Sequence, residues 1–242
     1  MTDMLYMDDS YLREFDAVVT GVSDSGQVIL DRTAFYPGGG GQPYDTGSLS
    51  SGDSTWRVTQ VGKANGEIVH TLEGDAPPAV GAQVHGILDW ERRYRLMRTH
   101  TALHVLCGTV FREYGAQVTG GNMATDKARM DFELEDLNAE RVAHIEELAN
   151  ESLHAGLPVS WRSLPREEAF QIPDLIRTKI NLLPPAIAEI RVVDIEGLDL
   201  QADGGTHVHN TREVGGIKVI GTRSKGRINK RLEIELVDES TD

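Results

Sequence analysis

The sequence predicts an α+β protein, with a small β-barrel over residues 1–90 and an α+β domain over residues 91–242. Three observations predict it. Up to about Trp90 the chain is a series of short, β-branched segments broken by Gly, Ser, Asp and Pro, with no helical period. At Glu91 the pattern changes to a long stretch without Pro and without Gly until Gly108. Beyond it, strand-like segments alternate with one further helical stretch.

In the first part the segments FDAVVTGV, QVIL, WRVTQV, EIVHTL and QVHGILDW read as strands. Asn65-Gly66 lies between two of them and predicts a tight hairpin. In the second part, Leu96, Leu103, Leu106 and Val110 share a helical face, and Gly115 is the expected stop. A second helix starts near Asn138, buries Val142, Ile145, Ala149 and Leu153, and closes at Gly156 and Pro158. VSWRSL, EIRVVDI, GIKVIGT and RLEIELV then read as strands of one antiparallel sheet with the helices against it.

Composition narrows the function. No run of apolar residues is long enough to span a membrane, and the acidic start lacks the features of a secretion signal. The lone Cys107 excludes an internal disulfide, fits a reducing cytoplasm and reads as a small buried helix residue. A net charge of -14 argues against indiscriminate nucleic-acid binding. Against that background two basic islands stand out. Arg92, Arg93, Arg95 and Arg98 form the first; Lys218, Arg223, Lys225, Arg227, Lys230 and Arg231 form the second. Together they are candidates for phosphate contacts if they flank one site.

His100 and His104 stand four apart in the long helical segment, one turn apart on one face, where both reach a single ion. No Glu lies between them, so the HExxH protease pattern and its general base are absent. Asp203 and His207 bracket a Gly-Gly pair and offer a second half-site. Three imidazoles with either Asp203 or a water complete a four-coordinate zinc site. His209 is a further candidate, placed on a strand with His207. His70, His85, His144 and His154 are isolated and read as surface or packing residues. Gly38, Gly39, Gly40 and Gly41 give a backbone able to approach a ligand closely, but the GK[ST] ending of a nucleotide-binding P-loop is missing.

HTALH, then VTGGN with ARMDF, then DGGTHV with TREVGGIKVI, resemble in order the editing domain of alanyl-tRNA synthetase. FYPGGGGQPYDTG is similar to the glycine-rich motif in front of that domain. With both parts and no synthetase body, the chain resembles AlaX, the family of free-standing alanyl-tRNA editing proteins, in its medium-length form. The resemblance implies a barrel followed by the α+β domain shared by threonyl- and alanyl-tRNA synthetase editing domains. It implies one zinc ion on His100, His104 and His207; where the family has a Cys, this chain has Asp203. It implies hydrolysis of seryl-tRNA(Ala), and of glycyl-tRNA(Ala) in some members. Thr119 falls at the position that contacts the amino-acid side chain, with Asn122 a second residue of that kind. Gly38–Gly41 is implied to be a loop over the editing pocket, with Gln42 near it. Arg223, Lys225, Arg227, Lys230 and Arg231 would grip the acceptor stem of a tRNA(Ala) carrying a wrong amino acid.

An aminoacyl ester is already activated, and neither a GxSxG elbow nor a Ser-His-Asp order occurs. Attack by water without a covalent intermediate is therefore expected, the metal either activating that water or holding the substrate's amino group or terminal ribose. Two other readings remain open from sequence: a deacylase of another mischarged tRNA, such as seryl-tRNA(Thr), and a non-catalytic tRNA-binding module with structural zinc.

Overall fold

Period-two alternation builds the first part of the chain. Phe15, Ala17 and Val19 turn inward along one strand while their neighbours face out. In the computed structural model, which describes residues 2–74, 76–180, 183 and 187–238, such strands close into a barrel. The chain divides into two compact units, Met1–Leu96 and Met97–Asp242.

Unit one holds β1 (Asp3–Met4), β2 (Glu14–Val22), β3 (Val28–Leu30), β4 (Arg32–Thr33), β5 (Gly47–Ser51), β6 (Ser54–Ala64), β7 (Glu67–Glu73) and β8 (Gln83–Leu88). Six of them form the barrel in the order β2-β3-β7-β6-β5-β8, while β1 and β4 pair in parallel. Phe15, Leu30, Phe35, Leu49, Val58 and Val84 are among the side chains that fill it. The expected hairpin joins β6 to β7: Asn65 and Gly66 both take positive φ, 51° and 82°, as a type I′ turn requires. His70 is buried in this unit, its ring bonded to Thr33 Oγ1 and Val28 O at 3.0 Å each.

Helix α1 (Trp90–Tyr114) follows, and Gly115 ends it at φ +64°. The sequence predicts one buried face for this helix, but every residue from Thr99 to Val110 is buried. It is a central element of unit two, and its polar residues, His100, Thr101 and His104 among them, lie out of water.

The rest of unit two is β9 (Val118–Met123), β10 (Lys127–Phe132), α2 (Ala139–His154), β11 (Val159–Pro165), α3 (Arg166–Ala169), β12 (Glu189–Ile195), β13 (Asp199–Ala202), β14 (Gly216–Ser224) and β15 (Lys230–Val237). These strands form two sheets rather than the single one expected, ordered β14-β15-β10-β9 and β11-β12-β13, both antiparallel. Asn138 caps α2, its side chain accepting from Arg141 N at 2.9 Å, and Ile145, Ala149 and Leu153 are buried. Asn150 fastens α2 to β14, donating to Ile217 O at 2.9 Å and accepting from Ile217 N at 2.8 Å. No helix among the described residues is long and apolar enough to cross a membrane.

Candidate metal centre

Helix α1 carries His100 and His104 one turn apart, and the segment after β13 brings Asp203 and His207 to them. Their ligand atoms all lie within 4.8 Å of one another. His100 Nε2 is 3.6 Å from Asp203 Oδ1, and His207 Nε2 is 3.0 Å from Asp203 Oδ2. Donors bound tetrahedrally to one zinc ion stand about 3.4 Å apart, given bond lengths of roughly 2.0–2.2 Å. The quartet therefore fits a single ion of that size.

The Asp203–His207 segment is shaped by its own polar contacts. Gly205 N donates to Asp203 Oδ2 at 2.6 Å, an Asx turn that the small glycine permits. Arg191 on β12 donates to the carbonyls of Gly205, at 2.9 Å, and Asp203, at 3.3 Å. Thr101 Oγ1 accepts from Val208 N at 3.3 Å and lies 3.2 Å from His207 Nδ1. That contact engages Nδ1 and leaves Nε2 for a ligand role.

Asp199 does the same for His104. Its Oδ2 lies 3.0 Å from His104 Nδ1, and it also receives Gln201 Nε2 at 2.6 Å and Arg177 Nε at 3.4 Å. Gly108 makes room for this: a Cβ there would come within 3.0 Å of Asp199 Cβ and Leu198 O. Neither Asp199 nor Thr101 is expected from sequence. Asp199 is 95 residues from its imidazole, and Thr101 reads as filler between two ligands.

Burial sets the charge state. It pushes the His100 imidazole down to about 4, against the pull of Asp203. It pushes His207 well below the usual value, with repulsion from His100 adding to it. Burial also lowers His104, but the hydrogen bond and charge of Asp199 outweigh it and the net direction is up. Burial opposes ionisation of Asp203, yet His100 and the hydrogen bond from His207 hold its carboxyl well below the carboxylate range. Two neutral imidazoles beside an ionised carboxylate are the protonation states a metal requires.

Several expected residues sit elsewhere. His209 is outside the quartet and not on a strand; its ring stacks on Trp161 at 5.0 Å and 13°. Cys107 is buried, accepts from Gln201 Nε2 at 3.3 Å, and burial pushes its thiol pKa up, so it is no nucleophile. Thr119 and Asn122 are exposed on β9, the edge strand of its sheet. The register jumps from Gly120↔Asp131 to Val118↔Phe132, so Thr119 is the extra residue of a β-bulge. Gly38, Gly39, Gly40 and Gly41 all take positive φ, and the turn closes through Gly39 N to Gln42 O at 3.0 Å and Gln42 N to Gly39 O at 2.9 Å. Gln42 itself is buried in its unit.

The first basic island is largely structural. Arg93 is fully buried against Asp45 and donates to Ser10 O at 2.9 Å, which removes it from any phosphate contact. Arg92 donates to Tyr44 O, and Arg98 to Val214 O and Asp238. In the second island Lys230 is also a correction: it is buried, and its ammonium donates to Gly226 O and Arg227 O at 2.8 and 2.9 Å. Lys225 and Arg231 converge on Asp131, which they hold ionised. Arg223 and Arg227 are exposed, with no acidic partner among the described residues.

A barrel and an α+β unit carrying a His3Asp group are the features to set beside known proteins, and the comparisons place them in the class of modules that accompany tRNA synthetases. The family model for tRNA synthetases class II (A) matches residues 9–92, and that of the threonyl and alanyl tRNA synthetase second additional domain matches residues 190–233. The alanyl-tRNA editing protein AlaX-M of Methanosarcina acetivorans is 43% identical, covering 98% of this chain and 100% of that protein. Its counterpart in Saccharolobus solfataricus is 41% identical over 96% and 98%. The alanine–tRNA ligase of Ignicoccus hospitalis is 44% identical over 92% of this chain but 24% of its own length. The chain belongs to the AlaX-M family of alanyl-tRNA editing proteins.

Proposed function

We propose that the chain is a cytoplasmic hydrolase that deacylates mischarged tRNA(Ala), chiefly seryl-tRNA(Ala), with glycyl-tRNA(Ala) as a second substrate. One observation carries the reading: the buried His100, His104 and His207 gather with the half-buried Asp203 in a chain matched over its length by alanyl-tRNA editing proteins. The domain division at residue 90 belongs to the same reading, with the glycine turn in the first domain and the metal group in the second.

The four side chains would hold one zinc ion, their nitrogens and carboxylate oxygen being donors zinc accepts. When bound, zinc supplies Lewis acidity toward a ligand oxygen or nitrogen. Asp199 and Thr101 keep two of the imidazoles turned toward the group. With the Cys107 thiol raised by burial, the attacking group is water. Thr119 is the side-chain contact, and its place in a bulge, which re-aims a side chain, supports that role. A serine hydroxyl satisfies its Oγ1, whereas alanine leaves it without a ligand partner. Asn122 lies on the same strand and serves as a second polar contact. The Gly38–Gly41 turn with Gln42 is a further substrate-binding element, supported by an exposed, side-chain-free backbone at Gly39 and Gly40. Arg223 and Arg227, with Lys225 and Arg231 beside them in the chain, contact acceptor-stem phosphates, and Lys230 supports their turn.

The test is amino-acid release from seryl-tRNA(Ala), seryl-tRNA(Thr) and alanyl-tRNA(Ala). Serine leaves the first, and alanine stays on the last. A His100→Ala variant loses serine release; unchanged release would remove the quartet from the reaction, and faster release from seryl-tRNA(Thr) would reassign the substrate.

A further inference from the structure

Thr119 Oγ1 donates a hydrogen bond to Asn229 Oδ1 at 3.1 Å. Asn229 lies in the turn between β14 and β15, and that turn is held at both ends. Lys225 N donates to Asn229 O at 2.8 Å, and the Lys230 ammonium closes on Gly226 O and Arg227 O. Lys225 and Arg231 also grip Asp131 on β10, whose partner across the sheet is Gly120, the neighbour of Thr119. The turn is thus anchored beside the bulge it touches.

A hydroxyl has one hydrogen and two lone pairs. With its hydrogen committed to Asn229, Thr119 can offer a ligand its lone pairs alone. It becomes an acceptor, and the ligand must bring the donor. A serine side chain brings an O–H; an alanine side chain brings only a methyl group, and glycine, the second and slower substrate, brings no group to this contact. We propose that Asn229 is a specificity-determining positioning residue, which fixes the polarity of the Thr119 hydroxyl so that it selects aminoacyl esters whose side chain carries a hydrogen-bond donor. The proposal rests on Thr119 being the side-chain contact. Without Asn229 the hydroxyl rotates freely and satisfies itself with water.

The test compares kcat/KM for seryl-tRNA(Ala) in Thr119→Val, Asn229→Ala, Asn229→Asp and the Thr119→Val/Asn229→Ala double variant, with thermal unfolding as the folding control. Asn229→Ala is expected to lose about fivefold, the scale of one neutral hydrogen bond. Asn229→Asp stays within about twofold of the parent, because a carboxylate can only accept and preserves the polarity. In the Thr119→Val background, Asn229→Ala adds no further loss, since its effect passes through the hydroxyl. A full rate in Asn229→Ala, an Asn229→Asp variant as slow as Asn229→Ala, or losses that multiply in the double variant would each overturn the proposal. A full rate in Thr119→Val would instead remove the Thr119 contact itself, and this inference with it.

Discussion

Asp199→Asn isolates how the metal group is held. The substitution keeps the shape of the side chain and removes its charge. Asp199 is 4% exposed, and its carboxylate meets His104 Nδ1 at 3.0 Å, so little solvent screens the contact. A hydrogen bond to a charged group contributes about 1.5–3 kcal/mol, and loss of an outer partner of a metal-bound histidine weakens metal binding roughly 10- to 100-fold. Zinc affinity, measured by competition with a chromophoric chelator at pH 7.5, is expected to fall by that factor. The metal-free variant also unfolds at a lower temperature, because Arg177 loses its counter-charge. Comparing unfolding of the metal-free proteins with zinc affinity separates the two effects. A folded Asp199→Asn variant that binds zinc as tightly as the parent would refute the orienting role.

Two further outcomes follow from groups away from the quartet. Burial pushes the folded pKa of His70 down to about 4 from 6.5. Between those values the unfolded chain binds a proton the folded chain does not, so the stability is fully present above pH 6.5 and is lost as pH falls toward 4, by about 3 kcal/mol; His70→Gln flattens this slope in urea unfolding at pH 7, 6 and 5, and an unchanged slope would count against a buried neutral imidazole. Arg223→Ala and Arg227→Ala each weaken tRNA(Ala) binding and lower the salt slope by about one; a slope equal to the parent's would place these exposed cations off the phosphate path.

Much of this architecture is written in local patterns. Alternating apolar residues and Asn65-Gly66 determine barrel strands and a hairpin through period and turn geometry alone. The long helix is legible because nothing before Gly108 breaks it. Strands β9 and β10 are not legible in the same way. VTGGN is rich in residues that disfavour strands, and it is extended because β10 pairs with it. Charge patterns mislead for a related reason. A sequence shows that Arg93 and Lys230 are cations but not that one sits on Asp45 and the other under a turn. The four candidate ligands stand out by spacing. Asp199 has no spacing signal, and its role comes from the close approach that Gly108 permits.

Asp203 stands where the resemblance implies a cysteine, and its geometry bears on whether it or water completes the group. Oδ1 faces His100 and Oδ2 faces His207, so each oxygen is already at a donor-to-donor distance from a different imidazole. The Asx turn to Gly205 N draws on Oδ2, leaving Oδ1 as the oxygen better placed for an ion. A carboxylate is a harder donor than a thiolate, so this group favours zinc over cadmium more than a cysteine-containing group does. Asp203→Cys tests whether position 203 reaches the ion. With cobalt(II) in place of zinc, a coordinated thiolate adds a sulfur-to-metal charge-transfer band in the near ultraviolet, and the cadmium-to-zinc preference rises. Both changes are expected if Asp203 is the fourth ligand. A folded Asp203→Cys variant that binds cobalt(II) without that band would put position 203 outside the coordination shell and leave the fourth place to water.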